Sequence, residues 1–536
     1  MVAVDVVIIG CGPVGALLAN FLGERGIDTL VLDQAKEIHQ LPRALGFDDE
    51  VKRAFQAAGL DTSFGRSAIS LKGMDLLVKA GGKLLRRFDI QDQPQRLGHP
   101  LSTTFYQPEL EAVIRGGLDR YSDLVQLRLG ERVTSIEDLG EQVRVEFVNV
   151  DTQTCDAVAA KFIVGCDGGR SMVRKFVDSP LEDMGLHQPW LVVDVIMKKE
   201  MDMDRWAQQI CDASRPATFV PSPPPRNRFE FMLMDGDNEE LMTKPERVEE
   251  LIRPWLDSDA YEIERSAVYT FHALLTTEMR HGRILLSGDA AHQMPPFLGQ
   301  GMCAGIRDVF NLAWKLDFTI RGISDQVLLD TYSTERVKHI RHVIDTAVRI
   351  GKIIQAPSRV LGIVRNAAMR IGEMLGMDIR HLTMSQEPLG PGFFSDTGIV
   401  PEDRRYPFPQ PRVRETSDGD PILLDETLGL HFTLVTRIGA NLRDRHPLVK
   451  LLEVVGPDSE SNPHSTVDKI YDVDGVITEW LNETGCDALL LRPDRVPFGI
   501  YSGAGAAIPL ILEDLFSRLG NRAEVKNENT ILLGGK

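Results

Sequence analysis

The chain is predicted to combine α/β and α+β parts in several domains. Three features carry this: an opening strand–turn–helix–strand unit, a β-rich middle, and a helical stretch followed by a small separate α/β segment. At 536 residues the chain exceeds what one hydrophobic core usually supports, which favours two or three domains. VDVVII (4–9) is an almost unbroken β-branched run, as expected of a strand buried on both faces of a parallel sheet. GCGPVG follows at once. In the next segment, ALLANFLGERG, Leu17, Leu18, Phe21 and Leu22 recur at helical spacing, and TLVLD closes a second strand at Asp33. The unit has the length of a βαβ crossover.

The strand signal returns in VRVEFVNV (143–150), KFIVGCDG (161–168), WLVVDVIM (190–197) and RFEFMLM (228–234). PSPPPRN (221–227) is predicted as loop or edge, because proline cannot donate to a ladder. From residue 305 to about 386 the pattern is helical. PLGPGFF (388–394) and PEDRRYPFPQPR (401–412) read as linker, and the remainder alternates short strands with helices.

A formal charge of −18 argues against nucleic acid or an anionic membrane as the main partner, since both need a basic face. The six cysteines, at 11, 155, 166, 211, 303 and 486, show no redox or zinc spacing, so they read as reduced thiols and no metal site is predicted. MVAVDVVIIG has no basic leader, and no apolar run approaches the ~20 residues of a membrane span. A cytoplasmic protein is expected, with a homodimer admitted.

Gly10, Gly12 and Gly15 supply G-x-G-x-x-G directly after a strand and at the start of a helix, the context that makes a Rossmann-like dinucleotide site. Gly12 lets backbone approach a pyrophosphate at a helix N-terminus. Asp33, 18 residues beyond Gly15, is placed for a ribose hydroxyl, with Gln34 beside it. The motif alone leaves NAD and FAD open. DGGRSMVR (167–174) puts Asp167 and Gly168 at the end of another strand, and GDAAH, after RILLS, puts Gly288 and Asp289 at a third. Three glycine-plus-aspartate strand ends suggest one long ligand touched at three places.

Together, GxGxxG near residue 10, DGxxSxVR near 170 and GDAAHxxPPxxGQG near 290 resemble the class A flavoprotein aromatic monooxygenases. PRALGFDDE (42–50), RFEFM (228–232) and GQGMCAGIRDVFNLAWKL (299–316) are most similar to the 3-(3-hydroxyphenyl)propionate hydroxylase group. The resemblance implies a discontinuous FAD-binding domain (1–75, 100–180, 270–345), a β-sheet substrate domain (76–99, 181–269), a helical segment (346–390) and a thioredoxin-like C-terminal domain (395–536). That last domain has no CxxC, so no redox role is expected of it, and its Cys486 reads as core. The resemblance also implies that Gly12, Pro13 and Val14 face the FAD pyrophosphate, Asp33 the ribose, Arg43 the phosphates, Gln107 the cofactor and Asp289 the ribitol. Backbone around Pro296, Gly299, Gln300, Gly301 and Met302 would face the pyrimidine edge.

Resembling enzymes reduce the flavin with NADH or NADPH, bound transiently, and use O2 to form a flavin hydroperoxide that hydroxylates a phenol. Such a site must be apolar and closed. Met294, Pro295, Pro296, Phe297 and Leu298 are expected to wall it, with Leu45 and Phe231 also near the substrate. A base or proton relay should speed attack on the phenol. Glu230 and Arg228 are the first candidates, with a structural ion pair as the competing reading; Asp48 and His272 follow, and His292 reads as turn support. The glycines at 299, 301 and 305 are read as freedom for a moving loop or as close packing. GAGAAIP (503–509) lacks a preceding strand, third glycine and acid, and is discounted as a second nucleotide site. Other FAD chemistry, such as polyketide hydroxylation or oxidation, and a non-catalytic FAD-binding protein remain alternatives; no halogenase W-x-W-x-I-P segment occurs.

Overall fold

A computed structural model describes residues 3–199, 205–356, 358–375, 387–437, 446–456, 467–503 and 507–520. The middle of the discounted GAGAAIP segment, residues 504–506, lies outside the described residues. The chain opens with β1 (Ala3–Ile9), α1 (Pro13–Glu24) and β2 (Thr29–Asp33), followed by α2 (Asp49–Ala57). A hairpin, β3 (Gly73–Leu77) and β4 (Leu84–Asp89), precedes β5 (Val125–Leu129) and β6 (Cys155–Gly165). Next come β7 (Leu181–Met197), β8 (Trp206–Ile210), β9 (Ala217–Pro221), β10 (Arg226–Met232), β11 (Tyr261–Thr276) and β12 (Ile284–Leu286). Three helices follow: α3 (Gly301–Ile320), α4 (Val327–Ile354) and α5 (Arg359–Met374). The C-terminal strands are β13 (Phe432–Thr436), β14 (Val449–Val455), β15 (Asp468–Asp472), β16 (Ala488–Leu491) and β17 (Pro497–Tyr501).

The first sheet has a parallel spine in the order β12, β6, β1, β2, β5. Val6, Val7 and Ile8 of β1 are fully buried, as the β-branched run requires. The parallel direction puts the carboxyl ends of β1, β6 and β12 at one edge, which brings three separate glycine–aspartate segments together.

The second sheet runs β11, β7, β10, β9, β8, β3, β4 with one short outer strand. Its first strand from the early chain begins at Gly73, and β11 continues to Thr276, so both expected edges of this region move outward by several residues. PSPPPRN forms the turn of the β9–β10 hairpin, where Pro221 pairs with Asn227 at the strand end and a cis peptide joins Pro224 and Pro225. The expected boundary at 345/346 falls inside the continuous helix α4, which binds both neighbouring regions.

The C-terminal sheet contains the parallel trio β13, β14, β15 and the antiparallel pair β16, β17 beside β13. It is welded to the rest by buried charge. Glu335 of α4 accepts from Arg492 and Lys315, all three essentially inaccessible, and Arg492 also pairs with Asp494. Burial works against the Glu335 carboxylate, but Arg492 and Lys315 overcome it and hold its pKa at about 2. Asp425 is bridged by Arg53 of α2 and Arg495 in the same manner. RPDR (492–495) is therefore an interdomain rivet. Cys486 is buried, and burial raises its thiol, in keeping with a core role. Among the described residues no helix is long and apolar enough to cross a membrane, and no cluster of potential metal ligands occurs.

Candidate active site

The three strand ends open onto one cavity of about 830 Å³ that reaches from the glycine turn to the second sheet. The glycines divide their labour. A Cβ on Gly10 would lie 2.5 Å from the Cys166 carbonyl oxygen, and one on Gly15 would lie 2.0 Å from that of Gly10. These two let the turn pack against β6 and do not line the cavity. Gly12 has nothing within 4 Å, and it lines the cavity with Pro13 and Val14. It also caps α1 without any side-chain bond, so the first N–H groups of that helix remain available to an anion.

Asp33 anchors the turn, its two oxygens accepting the Cys11 N–H at 2.7 Å and the Ala35 N–H at 2.8 Å. It sits behind the lining, and Gln34 is exposed away from the cavity. Arg43 lines the cavity, and its guanidinium has no hydrogen bond or ion pair with any other described residue. Its loop is braced from two sides. Gln107 Oε1 accepts the backbone N–H groups of Arg43 and Ala44 at 2.7 Å each, while its Nε2 donates to Glu111. Arg228 and Arg265 donate to the Pro42 carbonyl at 2.6 and 2.8 Å.

GDAAH is held by Asp308 of α3, a residue with no solvent exposure. Its Oδ2 accepts the Gly288 N–H at 3.0 Å and meets His292 Nε2 at 2.7 Å, while Oδ1 accepts from Arg336. His292 thus supports the turn. Asp289 projects into the cavity and accepts no hydrogen bond from any described residue; the enclosing protein raises its carboxyl, against the pull of His292 and Arg43. Just beyond, Pro296, Gly299, Gln300, Gly301 and Met302 line the cavity where α3 begins. Gln300 caps that helix without a side-chain bond to it, which leaves the positive end of a 20-residue helix facing the cavity. Gly299 has φ +66° and open space around its Cα, whereas a Cβ on Gly305 would strike Val14 at 2.7 Å. Of the two readings offered for these glycines, Gly305 takes close packing.

The floor comes from cross-strand register. Val192, Glu230, Thr218, Gln209 and Leu76 are successive partners across β7, β10, β9, β8 and β3, and all five line the cavity. Strand alternation puts Arg228 on the same face as Glu230 and sends Phe229 and Phe231 to the opposite core. Asp194 takes Arg228 (2.6 Å) and Arg265 (2.6 Å), leaving Glu230 only a loose 3.9 Å approach to Arg228 and no hydrogen bond among the described residues. Burial raises the Glu230 carboxyl above its usual range, and Arg228 only partly offsets this.

The cavity's construction agrees with what the chain is similar to. Residues 3–347 match the family model described as FAD binding domain, and residues 406–509 match the HcaD C-terminal domain. The chain belongs to the class A FAD-dependent aromatic monooxygenases. It is 34% identical to a probable NADH-specific resorcinol 4-hydroxylase of Rhodococcus jostii, over 95% of this chain and 94% of that one. It is 31% identical to a 3-(3-hydroxyphenyl)propionate/3-hydroxycinnamic acid hydroxylase of Escherichia coli, over 97% and 94%. Its fold matches the flavin-dependent monooxygenase PieE (TM-score 0.80, 18% identity, 97% of this chain and 99% of that one) and aklavinone-11 hydroxylase (0.76, 21%, 97% and 99%).

Set against the expectations for this monooxygenase, several residues move. Phe231 packs near Trp255 (ring centroids 6.1 Å apart) and cannot meet substrate, because it occupies the wrong parity of its strand. Pro295 is buried outside the lining, whereas Leu45 and Pro296 do line it. Asp167 spends its carboxylate on the Ser171 hydroxyl and the Met172 and Val173 N–H groups, so Gly168 alone of that pair reaches the cavity. Gln107 and Arg228 are braces of the Arg43 loop. Asp48 is also structural: burial opposes its charge, but Arg307, Gln300 and the Val51 N–H hold it below the usual range. His272 lines the cavity with its Nδ1 2.8 Å from that of His187. Gln209 and Thr218 were missed because no local motif marks them. Asp194, a lone charge inside the apolar WLVVDVIM, carried a readable signal.

Proposed function

We propose the following division of labour for this FAD-dependent monooxygenase, which hydroxylates a phenolic aromatic with NAD(P)H and O2. The first sheet with α1 and α3 holds the cofactor, the second sheet holds the substrate, and the C-terminal domain buttresses both. The fit to FAD rests on the cradle itself: Gly12, which leaves open space where a side chain would stand, two helix N-termini without a side-chain cap, and Arg43 and Asp289, whose side chains have no hydrogen-bond partner among the described residues. Gly12, Pro13 and Val14 would meet the pyrophosphate and Arg43 its charge, Asp33 the ribose, Asp289 the ribitol hydroxyls, and the start of α3 the polar edge of the ring. Bound there, FAD supplies the redox chemistry that links nicotinamide oxidation to oxygen insertion.

The protein's own part is to position the phenol, hold its proton and keep water away. Glu230 is the group this reading assigns to the phenolic proton, because it is the carboxyl on the cavity floor left without a hydrogen bond among the described residues. Its raised pKa brings it nearer the range of a useful proton acceptor. Met294, Pro296, Phe297 and Leu298 form the dry wall, with Phe297 set edge-on to Trp190 at 5.8 Å and packed on Gly351 of α4. The relative's name supports NADH as the donor. A cytoplasmic homodimer belongs to the same proposal, self-association being supported by the exposed Val360, Ile363, Val364 and Ile371 on α5 and testable by sedimentation.

The deciding experiment is NADH oxidation and product analysis with and without phenols. Substrate-stimulated oxidation with hydroxylated product is expected. No stimulation and no product across a broad phenol panel would sink the proposal.

A further inference from the structure

Around Glu230 the floor spends its polar hydrogens on the protein itself. The Thr218 hydroxyl donates to Gln209 Oε1 at 3.1 Å, and Gln209 Nε2 donates to the Ala217 carbonyl at 2.9 Å. Arg228 and Arg265 are both drawn to Asp194 and to the Pro42 carbonyl. One hydroxyl is arranged differently. Tyr269 of β11 lines the cavity, and its oxygen accepts from Arg265 Nη1 at 3.1 Å. The two residues are four apart on one strand and share a face, so their side chains meet over Ala267, which does not itself line the cavity. An oxygen that accepts from a guanidinium turns its own hydrogen elsewhere, and among the described residues that hydrogen has no acceptor. Asp194, the register partner of Arg265, fixes the guanidinium that orients the hydroxyl. Ala267 and Glu230 are both register partners of Val192, so the hydroxyl is held at the level of Glu230 with Val192 between them.

We propose that Tyr269 is a catalytic hydrogen-bond donor: as Glu230 takes the phenolic proton, the Tyr269 O–H donates to the oxygen left with the negative charge. The proton passes from the phenol oxygen to a Glu230 carboxylate oxygen, no other bond breaks, and the tyrosine keeps its hydrogen. In a chamber poor in water an anionic oxygen without a donor is costly. A hydroxyl polarised by a guanidinium donates more strongly than a bare one, and a donor fixed before the charge develops offsets that cost without rearrangement. This inference rests on the phenol hydroxylation and the Glu230 assignment proposed above, and adds the group that meets the charge.

The test compares FAD-loaded full-length wild type with Tyr269→Phe, which keeps the ring over Ala267 and removes only the hydroxyl, using resorcinol and 3-(3-hydroxyphenyl)propionate as probes. With the probe that the wild type uses better, kcat/KM for hydroxylated product near neutral pH is expected to fall at least about tenfold at unchanged flavin content, as the loss of a hydrogen bond to a charged oxygen implies. A free phenol, like tyrosine, ionises near pH ~10, so the deficit should shrink as the pH is raised to about 9, whereas a packing defect would not respond. In the double variant with Glu230→Gln the loss should fall short of the product of the two single losses, because both groups act on one oxygen. Wild-type kcat/KM in Tyr269→Phe would overturn the inference and leave phenol hydroxylation standing, as would a deficit that stays constant with pH. Multiplicative losses in the double variant would overturn the shared oxygen. If the wild type hydroxylated neither probe nor any phenol of a broad panel, the parent reading would fall and this one with it.

Discussion

The cavity wall and the C-terminal junction are both crowded with charge, yet they treat it in opposite ways. At the junction every carboxylate oxygen of Glu335 is matched: Arg492 and Lys315 donate to it, as do the Asn311 amide and the Phe393 N–H. At the cavity, among the described residues, Asp289 and Glu230 protrude with no donor and the Arg43 guanidinium has no acceptor. Saturated charge is structural, and charge left open around a cavity is where a ligand completes the bonding. The same contrast recurs within one sheet, where Asp194 takes two arginines and Glu230, on the next strand, takes neither closely.

The comparison can be broken at its saturated end first. Glu335→Ala strips Lys315 of its ion-pair partner and leaves Arg492 with Asp494 alone, and a loss of about 3–5 kcal/mol in unfolding free energy is expected, measurable by chemical denaturation. A loss below 1 kcal/mol would show that the rivet is dispensable. At the open end, Asp289→Ala should leave the fold intact and weaken FAD binding by tenfold or more, since a hydrogen bond to a charged group contributes about 1.5–3 kcal/mol. Yellow, fully loaded mutant protein with normal turnover would contradict the assignment.

Acid sharpens the same contrast. Glu335 and Asp425 have folded-state pKa values of about 2, below their ordinary 4.5 and 3.8, so the unfolded chain takes up these protons first. Their stabilisation is therefore full above about pH 4.5 and declines as pH falls toward 2. Fluorescence of Trp314, buried in the core shared by α3 and the C-terminal domain, should report loosening in that window. Glu335→Gln should flatten the part of the decline that belongs to Glu335, and an unchanged profile would detach the junction from the acid response.

Much of the cradle was legible because it is made of backbone. A glycine that must pack against a carbonyl, or leave room for a ligand, cannot be replaced by disguise, and its motif stays local in sequence: Gly10, Gly12 and Gly15, then Gly288, then Gly299 and Gly301. The floor was not legible, because Val192, Glu230, Thr218, Gln209 and Leu76 meet only through the register of five strands. Strand parity also misled where it was not applied: Glu230 and Phe231 are neighbours in sequence and face opposite sides of the sheet. RPDR is a contiguous stretch of sequence, but its meaning depended on Glu335, more than 150 residues earlier in the chain.

The central claim is that the open carboxyl of Glu230 serves the substrate's proton while its paired neighbours serve the fold. It is tested most directly by hydroxylated product formed per NADH consumed in Glu230→Gln against wild type, at matched flavin content and with the rate of flavin reduction measured alongside. The account predicts an undiminished reduction rate with a clear fall in product per NADH. Equal coupled product formation in the two proteins would contradict it.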